Sequence, residues 1–241
     1  MRVLSYNIHK GIGGRDRQYR LERILDVIEA ENPDVICLQE VDRNVRRSHH
    51  HDQPRLLAEH FKAVSHTYQM NVRLTEGGYG NLILSRWRIR RKHQISLKLS
   101  WRKCRGAQLV VVETPEGLLH LVNWHLGLSE SERHWQVHHL LTHPLFRESF
   151  DLPTLLLGDT NDWRNTLIHG PLAEHGFVHS THPLRKFRSF PAYLALGSLD
   201  KSYHRGGVHV RSAKIIRTPL AKQASDHLPL VVDFHLETPT K

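Results

Sequence analysis

The chain has 241 residues and a formal net charge of +10, with 39% hydrophobic and 24% charged residues; this composition fits a globular protein and excludes a disordered or fibrous one. The sequence lacks both an apolar segment of about 18 residues and an N-terminal secretory pattern, so we expect a cytoplasmic protein without a membrane span. Cys37 and Cys104 stand outside any CxxC spacing, which argues against a disulfide framework and against a cysteine-based zinc site.

The first predicted elements are a strand, a helix and a second strand. Residues 2–8 form an apolar run that is typical of a buried strand. Apolar residues recur at helical spacing between Leu21 and Ile28, and Asn32-Pro33 ends this helix. Residues 34–40 form another apolar run, whose last residue is Glu40.

Short strands are predicted in the middle of the chain, after a helix that begins near Asp52. The run from Arg86 to Arg105 lies in this region and contains nine lysines or arginines and no acid, so the rest of the chain contributes only +1 of the net +10. Such a charge favours anionic partners. The interleaved Trp87 and Trp101 suit a nucleic-acid surface or a solubilising strand pair with buried tryptophans, and both interpretations stay open. The predicted strands are residues 68–72, 80–85, 107–113 and 118–124.

The second half of the chain repeats the order of the first. A strand that ends at His125 is followed by a helix and by an apolar run that ends at Asp159. Asn7 and Glu40 end the first pair of strands 33 residues apart, and His125 and Asp159 end the second pair 34 residues apart. Polar strand ends of this kind are expected to meet at one rim of a paired-sheet core, although coincidence in an ordinary α/β pattern is the alternative. The last two predicted strands lie around Leu199 and at residues 228–234.

Seven short motifs occur in order along nearly the whole chain. This series resembles the endonuclease/exonuclease/phosphatase superfamily, and most of all its compact bacterial metal-dependent hydrolases, whose core is similar to pancreatic-type deoxyribonuclease and abasic-site endonuclease. The resemblance implies one α/β (α+β) domain over residues 1–241, built as a four-layer αββα sandwich of two mixed, mostly antiparallel sheets with helices on both outer faces. The motifs are Ser5-Tyr6-Asn7-Ile8-His9, Leu38-Gln39-Glu40-Val41-Asp42, Tyr79-Gly80-Asn81-Leu82-Ile83-Leu84-Ser85-Arg86, Asn123-Trp124-His125-Leu126, Gly158-Asp159-Thr160-Asn161-Asp162, Leu199-Asp200 and Ser225-Asp226-His227-Leu228-Pro229.

A divalent-metal site is expected at Glu40. Hydrolysis of an anionic phosphodiester benefits from a hard cation, and a carboxylate is the kind of oxygen ligand that Mg²⁺ or Mn²⁺ prefers. Asn7 would hold this carboxylate or a metal-bound water, and Asp226 would add a ligand at the same metal or at a second one. Without the resemblance, a satisfied carboxylate at a strand end would be the favoured interpretation of Glu40.

Asp159 and Asn161 are expected to act on the attacking water and on the phosphate. On extended backbone, residues two apart point to the same side, so both can contact one water and one phosphate oxygen. The resemblance assigns water activation to Asp159 and phosphate contact to Asn161. The alternative is an Asx turn that caps the strand end.

Two histidines are expected to face the scissile phosphate. His227 would contact it, with Asp200 accepting the other ring N–H and raising the imidazole pKa. His125 resembles the second active-site histidine of the family, a phosphate binder or leaving-group acid, and the sequence does not decide which histidine is the acid or the base. The residues around Asp200, Ser198-Leu199-Asp200-Lys201, depart from the usual family pattern, so this assignment is the least secure of the set.

Asn81 and Arg105 are weaker candidates for contact with substrate phosphate. Asn81 resembles a family position that borders the phosphate site. Arg105 is equally well explained as one more member of the basic run.

The sequence therefore predicts a Mg²⁺- or Mn²⁺-dependent phosphodiester hydrolase that uses direct attack by water. The basic run favours nucleic acid, DNA or RNA, as the substrate. The alternative is a phosphatase or phosphodiesterase that acts on a phospholipid head group, an inositol phosphate or another small ester, since fold alone does not choose. A binding module without turnover is the third possibility, against which the intact candidate site argues. The oligomeric state is not predicted.

Overall fold

Two six-stranded sheets form the centre of the protein in the computed structural model, which describes residues 1–237. The strands are β1 (Arg2–Asn7), β2 (Val35–Arg43), β3 (Ser65–Arg73), β4 (Gly78–Ser85), β5 (Ile89–Ser96), β6 (Gly106–Thr114), β7 (Gly117–His125), β8 (Thr154–Asp159), β9 (Val178–His179), β10 (Asp200–Arg205), β11 (Val208–Ile215) and β12 (Leu230–Leu236). The first sheet has the order β11-β12-β1-β2-β4-β3, and the second has the order β5-β6-β7-β8-β10-β9.

Six α-helices within residues 1–237 accompany the sheets: α1 (Leu21–Glu31), α2 (Gln53–His60), α3 (Glu130–Thr142), α4 (Pro144–Arg147), α5 (Pro171–Glu174) and α6 (Pro219–Ala224). Buried residues of α1, α2 and α6 pack with the first sheet, and those of α3 to α5 pack with the second. The apolar side chains of β6, β7 and β8 that face the first sheet join its core, so the two sheets bury one shared interior. The predicted α/β sandwich is confirmed. Over the described residues, every helix is too short or too polar to cross a bilayer.

Two pairs of parallel strands lie at the middle of the fold, one in each sheet. β1 pairs with β2 and β7 with β8, and a helix connects the strands of each pair, as the repeated pattern predicts. The close approach of β7 and β8 depends on Gly158, because a Cβ atom there would lie 2.0 Å from the Trp124 carbonyl oxygen. The carboxyl ends of all four strands point to the same rim, where Asp159 and Asp200 stand opposite each other on β8 and β10.

The strands β5 and β11 were not among the strands predicted from the sequence. Both lie at the edge of their sheets, and both expose most of their side chains. Only Ile89 and Ile95 of β5 are buried, so the alternating apolar pattern that identifies a strand is almost absent. Charged side chains are common on such edges, where they discourage pairing with another chain.

Candidate active site

One carboxylate oxygen, Oδ2 of Asp159, is the meeting point of side chains from both sheets. Asn7 at the end of β1 donates a hydrogen bond to it at 3.0 Å. The Nε2 atom of His125, at the end of β7, lies 3.4 Å from the same oxygen, and the Nε2 atom of His227 lies 3.6 Å from it. The four side chains are almost completely buried. Groups that are 152 positions apart along the chain, Asn7 and Asp159, are thus brought into direct contact.

Glu40 lies in a bulge of β2 beside this cluster. The pairing of β2 with β4 shifts between Leu38 and Val41, and Glu40 takes a left-handed backbone conformation with φ of 57°. A non-glycine residue in that region is strained, and such strain concentrates at functional sites. The ammonium group of Lys10 contacts Oε2 of Glu40. Burial alone would raise the Glu40 pKa, but the charge and hydrogen bond of Lys10, together with other nearby positive charge such as that of Lys103, outweigh burial and lower it, so the side chain is an anion.

His227 is held by a second carboxylate. Its Nδ1 atom is 2.8 Å from Oδ2 of Asp200, a fully buried residue at the start of β10. Burial would lower the His227 pKa, but the charges of Asp200 and Asp159 reverse this effect and raise it above its usual value. The structure therefore favours an imidazolium at His227, with Nε2 directed to the centre of the cluster.

His125 has the opposite electrostatic setting. A guanidinium N–H of Arg105 donates to Nε2 of His125 at 2.8 Å. Since arginine only donates, this nitrogen of His125 accepts and the ring is neutral. Burial and then the positive charge of Arg105 lower the His125 pKa well below its usual value. Arg105 is itself buried, so it is not simply a surface member of the basic run.

The backbone at Asn161 is not extended, contrary to the sequence expectation. Its φ is 50°, and its N–H donates to Oδ1 of Asp159 at 3.0 Å, which is the Asx-turn geometry considered as the alternative. The side-chain amide of Asn161 donates to the Leu126 carbonyl at 3.0 Å. Asparagine tolerates this left-handed backbone region better than most residues do. The turn therefore forms without displacing Asn161 from Asp159.

The remaining sequence candidates lie around the cluster without touching Asp159. Asn81 is buried and donates to the Gly106 carbonyl at 3.0 Å, while its Oδ1 atom has no hydrogen-bond partner among the described residues. Asp226 is half-buried, and its Oδ2 atom lies 3.8 Å from Nε2 of His9. Its neighbour Ser225 donates to the Asn7 carbonyl at 2.7 Å, which connects this segment to β1.

A buried ion-pair network under the Asp159 turn was missed from the sequence. Lys201 is fully buried, and its ammonium group donates to the Asp162 carbonyl at 2.5 Å and lies 3.4 Å from the Asp162 carboxylate. Arg133 of α3 lies 3.7 Å from the same carboxylate. Burial lowers the Lys201 pKa to about 8 despite the attraction of Asp162. Asp162 stood in a recognised motif, but no sequence signal indicated that Lys201 points inward.

The donors at the rim fit a hard divalent cation. Residues 1–237 contain no group of three His, Cys, Asp or Glu side chains arranged around one ion position. Mg²⁺, however, is commonly bound by one or two carboxylates together with waters and substrate phosphate. Glu40 supplies an ionised carboxylate that already faces a positive charge, that of Lys10. Asn7 adds an amide oxygen, which accepts a hydrogen bond from the His9 N–H at 3.1 Å. This chemistry is compatible with Mg²⁺ or Mn²⁺.

The basic run does not form one surface. Ser85 pairs with Val35 at the start of β2, so Arg86 and the first residues of β5 lie at the end of the sheets away from the rim. Ser96 pairs with Gly106, which pairs with His125, so the end of β5 reaches the rim. The five basic residues at the far end are Arg86, Arg88, Arg90, Arg91 and Lys92, and the four toward the rim are Lys98, Arg102, Lys103 and Arg105.

Acids contact part of the far group: Arg86 lies 3.5 Å from Asp34 and Arg91 lies 3.4 Å from Glu148. Trp87 is partly buried against the core, whereas Trp101 near the rim is 82% exposed. The nucleic-acid interpretation of the run therefore applies to its second half only.

The chain is similar to known proteins in sequence and in fold. The model of the endonuclease/exonuclease/phosphatase family matches residues 4–227. An uncharacterized protein of Escherichia coli strain K12, YbhP, is 29% identical over 248 residues, which cover 98% of this chain and 96% of that protein. An endonuclease/exonuclease/phosphatase from Beutenbergia cavernae superposes with a TM-score of 0.78 at 21% identity, covering 100% of this chain and 73% of the other. The human Nocturnin catalytic domain with bound sulfate superposes with a TM-score of 0.74 at 22% identity, covering 98% and 93%.

Proposed function

We propose that this chain, which belongs to the endonuclease/exonuclease/phosphatase family, is a divalent-metal-dependent phosphodiesterase that uses direct attack by water. Membership of the family makes it a phosphate-ester hydrolase, and the finer assignment is our inference. The observation that carries the proposal is the convergence of Asn7, His125 and His227 on one oxygen of Asp159. Phosphoryl transfer to water needs a general base and fixed positive charge within one small volume, and this cluster supplies both.

Asp159 is the proposed base that orients and deprotonates the attacking water. Burial raises its pKa, which makes the carboxylate a stronger base than an exposed aspartate, although the charge of His227 opposes the shift. The hydrogen bond from Asn7 fixes one carboxylate oxygen, and the N–H of Asn161 fixes the other. The carboxylate is therefore held in one orientation before substrate arrives, which is a form of preorganisation.

His227, Arg105 and His125 are the proposed phosphate contacts. The imidazolium of His227 donates to a phosphate oxygen through Nε2, and Asp200 preserves its charge and tautomer through Nδ1. The guanidinium of Arg105 has donors beyond the one that binds His125, and its Nε atom has no hydrogen-bond partner among the described residues. Asn161 and Asn81 border the same position.

Glu40 is the proposed main ligand of Mg²⁺ or Mn²⁺, with Asn7 and Asp226 as further oxygen donors. When bound, the ion supplies Lewis-acid stabilisation of the charge on the phosphate oxygens. Lys10 contacts only Oε2 of Glu40, so Oε1 would be available to the ion, and the ammonium group would add positive charge beside an anionic substrate.

Two groups of exposed residues near the rim support two different substrate classes. Nucleic acid is supported by the basic residues near the site, such as Lys103 and Arg105, and by the exposed Trp101, which suits base stacking. A phospholipid head group is supported by exposed apolar side chains near Phe190, whose ring contacts that of His227: Trp163 packs against Phe190, and Tyr193 lies in the same loop.

The catalytic assignment is tested with the chromogenic diester bis(p-nitrophenyl) phosphate. Asp159→Asn is expected to lower kcat by about 10²- to 10⁴-fold, the usual cost of removing a general base. Asp151→Asn, a matched change at an exposed acid, is expected to keep the full rate. EDTA should abolish hydrolysis, and added Mg²⁺ or Mn²⁺ should restore it. Full activity of Asp159→Asn, or in EDTA, would rule out the proposed mechanism.

The two substrate classes are separated by a direct comparison. Single-stranded DNA, RNA and a phospholipid dispersion are offered to the metal-loaded enzyme at increasing ionic strength. Hydrolysis of a polynucleotide that weakens steeply with salt would support the nucleic-acid assignment, because bound counterions are released along a polyanion. Preference for the lipid would support the second class.

A further inference from the structure

Four large apolar side chains form one exposed patch beside the candidate active site. Trp163, Tyr193, Leu194 and Leu196 are 56%, 51%, 60% and 59% exposed. Single exposed apolar residues are ordinary on protein surfaces, but a contiguous group commonly marks an interaction site. Three of the four side chains belong to one short loop, residues 190–197, which we call the apolar loop.

The apolar loop is a rigid structure. Phe190 and Gly197 exchange two backbone hydrogen bonds, of 3.1 Å and 2.7 Å, which close the loop at its base. Within it, the N–H of Leu194 donates to the Pro191 carbonyl at 2.9 Å. The Trp163 ring packs directly on Gly197, where a Cβ atom would lie 2.6 Å from the indole. The loop backbone is thus fixed by these contacts while its leucines remain exposed to water.

The base of the loop is part of the active-site wall. The Phe190 ring lies 4.8 Å from the His227 ring, and the Trp163 ring meets Phe190 edge-on at 6.0 Å. The N–H of Ala192 donates to the Asp226 carbonyl at 2.7 Å. Any surface that contacts the loop tip is therefore brought next to the imidazole that is proposed to bind phosphate.

Exposed cations surround the patch. Arg15 and Lys222 line the same surface depression as Tyr193. Arg164 directly follows Trp163 and is 80% exposed, and Arg188 is exposed two residues before Phe190. Acids are also present: Asp16 in the depression binds Arg23, and Glu130 lies 3.5 Å from Arg164. Basic residues outnumber them, in keeping with the net charge of +10.

We propose that the apolar patch inserts into an anionic phospholipid bilayer and seats the active-site rim on the lipid head groups. Interfacial binding combines apolar side chains that enter the head-group and acyl boundary with cations that attract anionic lipids, and both are present here. This inference goes beyond the proposed function, because the binding does not require hydrolysis. Two observations favour a bilayer over other partners. The tip of the patch is formed by the aliphatic side chains of Leu194 and Leu196, which suit an acyl boundary and offer no ring for a nucleobase, whereas Trp163 and Tyr193 are side chains typical of the membrane interface. A second copy of this chain would carry the same positive charge.

The test is sedimentation with vesicles of phosphatidylglycerol and phosphatidylcholine, compared with vesicles of phosphatidylcholine alone. The wild type is expected to bind the anionic vesicles more tightly, and binding should weaken with salt. The double variant Leu194→Ser/Leu196→Ser should bind about 100-fold more weakly, since full burial of each leucine is worth about tenfold or more. Substitution of exposed residues should leave the fold intact, which circular dichroism checks.

A matched control uses exposed apolar residues at the opposite end of the sheets. Val64 and Val178 are 67% and 56% exposed, and Val64→Ser/Val178→Ser should bind vesicles like the wild type. Hydrolysis of the soluble chromogenic diester separates the two proposals. The loop variant should keep that activity, whereas Asp159→Asn should lose it and still bind vesicles.

Several results would overturn the proposal. These are failure of the wild type to bind anionic vesicles, equal binding by the loop variant, or equal weakening in the Val64 and Val178 control. Loss of single-stranded DNA binding in the loop variant, with vesicle binding unchanged, would instead make the patch a nucleic-acid surface.

Discussion

His125 and His227 occupy one cluster and are both almost fully buried, yet the structure favours a neutral ring at His125 and a charged ring at His227. Each Nε2 atom lies within 3.6 Å of the same oxygen of Asp159. The Asp200 carboxylate on the far side of His227 raises its pKa, whereas Arg105 beside His125 adds to burial and lowers the pKa of that ring. The comparison teaches that burial makes an imidazole neutral unless neighbouring carboxylates outweigh it, as Asp200 and Asp159 do at His227.

A third buried histidine shows the effect of burial almost alone. His120 lies on β7 away from the rim, and its Nδ1 atom is 3.3 Å from the Thr154 hydroxyl. No acid opposes desolvation there, and the pKa falls to about 3. His120 is therefore the reference against which the other two rings can be judged.

The largest expected effect comes from removing the charged ring. His227→Gln should lower kcat/KM for a phosphodiester by about 10²- to 10⁴-fold, because the cation proposed to stabilise the transition state is lost. His209→Gln, at an exposed histidine, is the control and should be neutral. A variant that retained most of the wild-type rate would show that His227 has no part in the reaction.

The next effect comes from removing the carboxylate behind that ring. Asp200→Asn should let the His227 pKa fall, so the ring becomes neutral at a lower pH than in the wild type. The rate relative to wild type should therefore drop by about 10- to 100-fold at pH 8 and recover partly at pH 6. A ratio of the two rates that stays constant with pH would mean that Asp200 acts only through packing.

Arg105 is expected to have a smaller effect. Arg105→Gln removes one proposed phosphate contact, which should raise KM by about tenfold. The variant also lacks the positive charge that lies beside His125. The His125 pKa should therefore rise toward its usual range, which an NMR pH titration of the ring would show. Arg105→Lys should restore part of the binding because it keeps the charge. An unchanged KM in the glutamine variant would argue against the contact.

The smallest expected effect concerns stability. Since the folded-state pKa of His120 is lowered to about 3, the unfolded chain binds a proton there below its usual pKa of about 6.5 while the folded chain does not. The neutral His120 therefore contributes its full share of the unfolding free energy above about pH 6.5, and this share is lost as the pH falls below that value. When the pH falls from 7 to 5, the unfolding free energy of the wild type should decrease by about 2 kcal/mol more than that of His120→Asn, as measured by denaturant titration. Parallel pH profiles would disprove this linkage.

The resemblance of the motifs predicts the sandwich, and the pattern of strands and helices predicts most of the strand ends at the rim. The repeated strand, helix, strand pattern places Asn7, Glu40, His125 and Asp159 at corresponding positions, and the structure contains both parallel pairs. This works because hydrophobic runs and helical periodicity identify the central elements of a fold, where burial is nearly complete.

Other features depend on contacts that a linear pattern does not contain. The bulge at Glu40 sets the direction of its carboxylate, and Lys10 reaches it from a neighbouring turn. The inward position of Lys201 depends on Asp162, 39 residues away. The edge strand β5 lacks alternation because both of its faces are largely exposed. These are properties of tertiary packing and override local propensity.

The position of β12 has a consequence for the order in which the protein matures. β12 pairs with β1, and His227 lies in the segment that leads into β12. Residues 1–229 must therefore be synthesised before β12 can pair with β1 and join the two parts of the first sheet. Until that moment the nascent chain lacks His227, so the proposed cluster around Asp159 forms late in synthesis and not as the first elements fold.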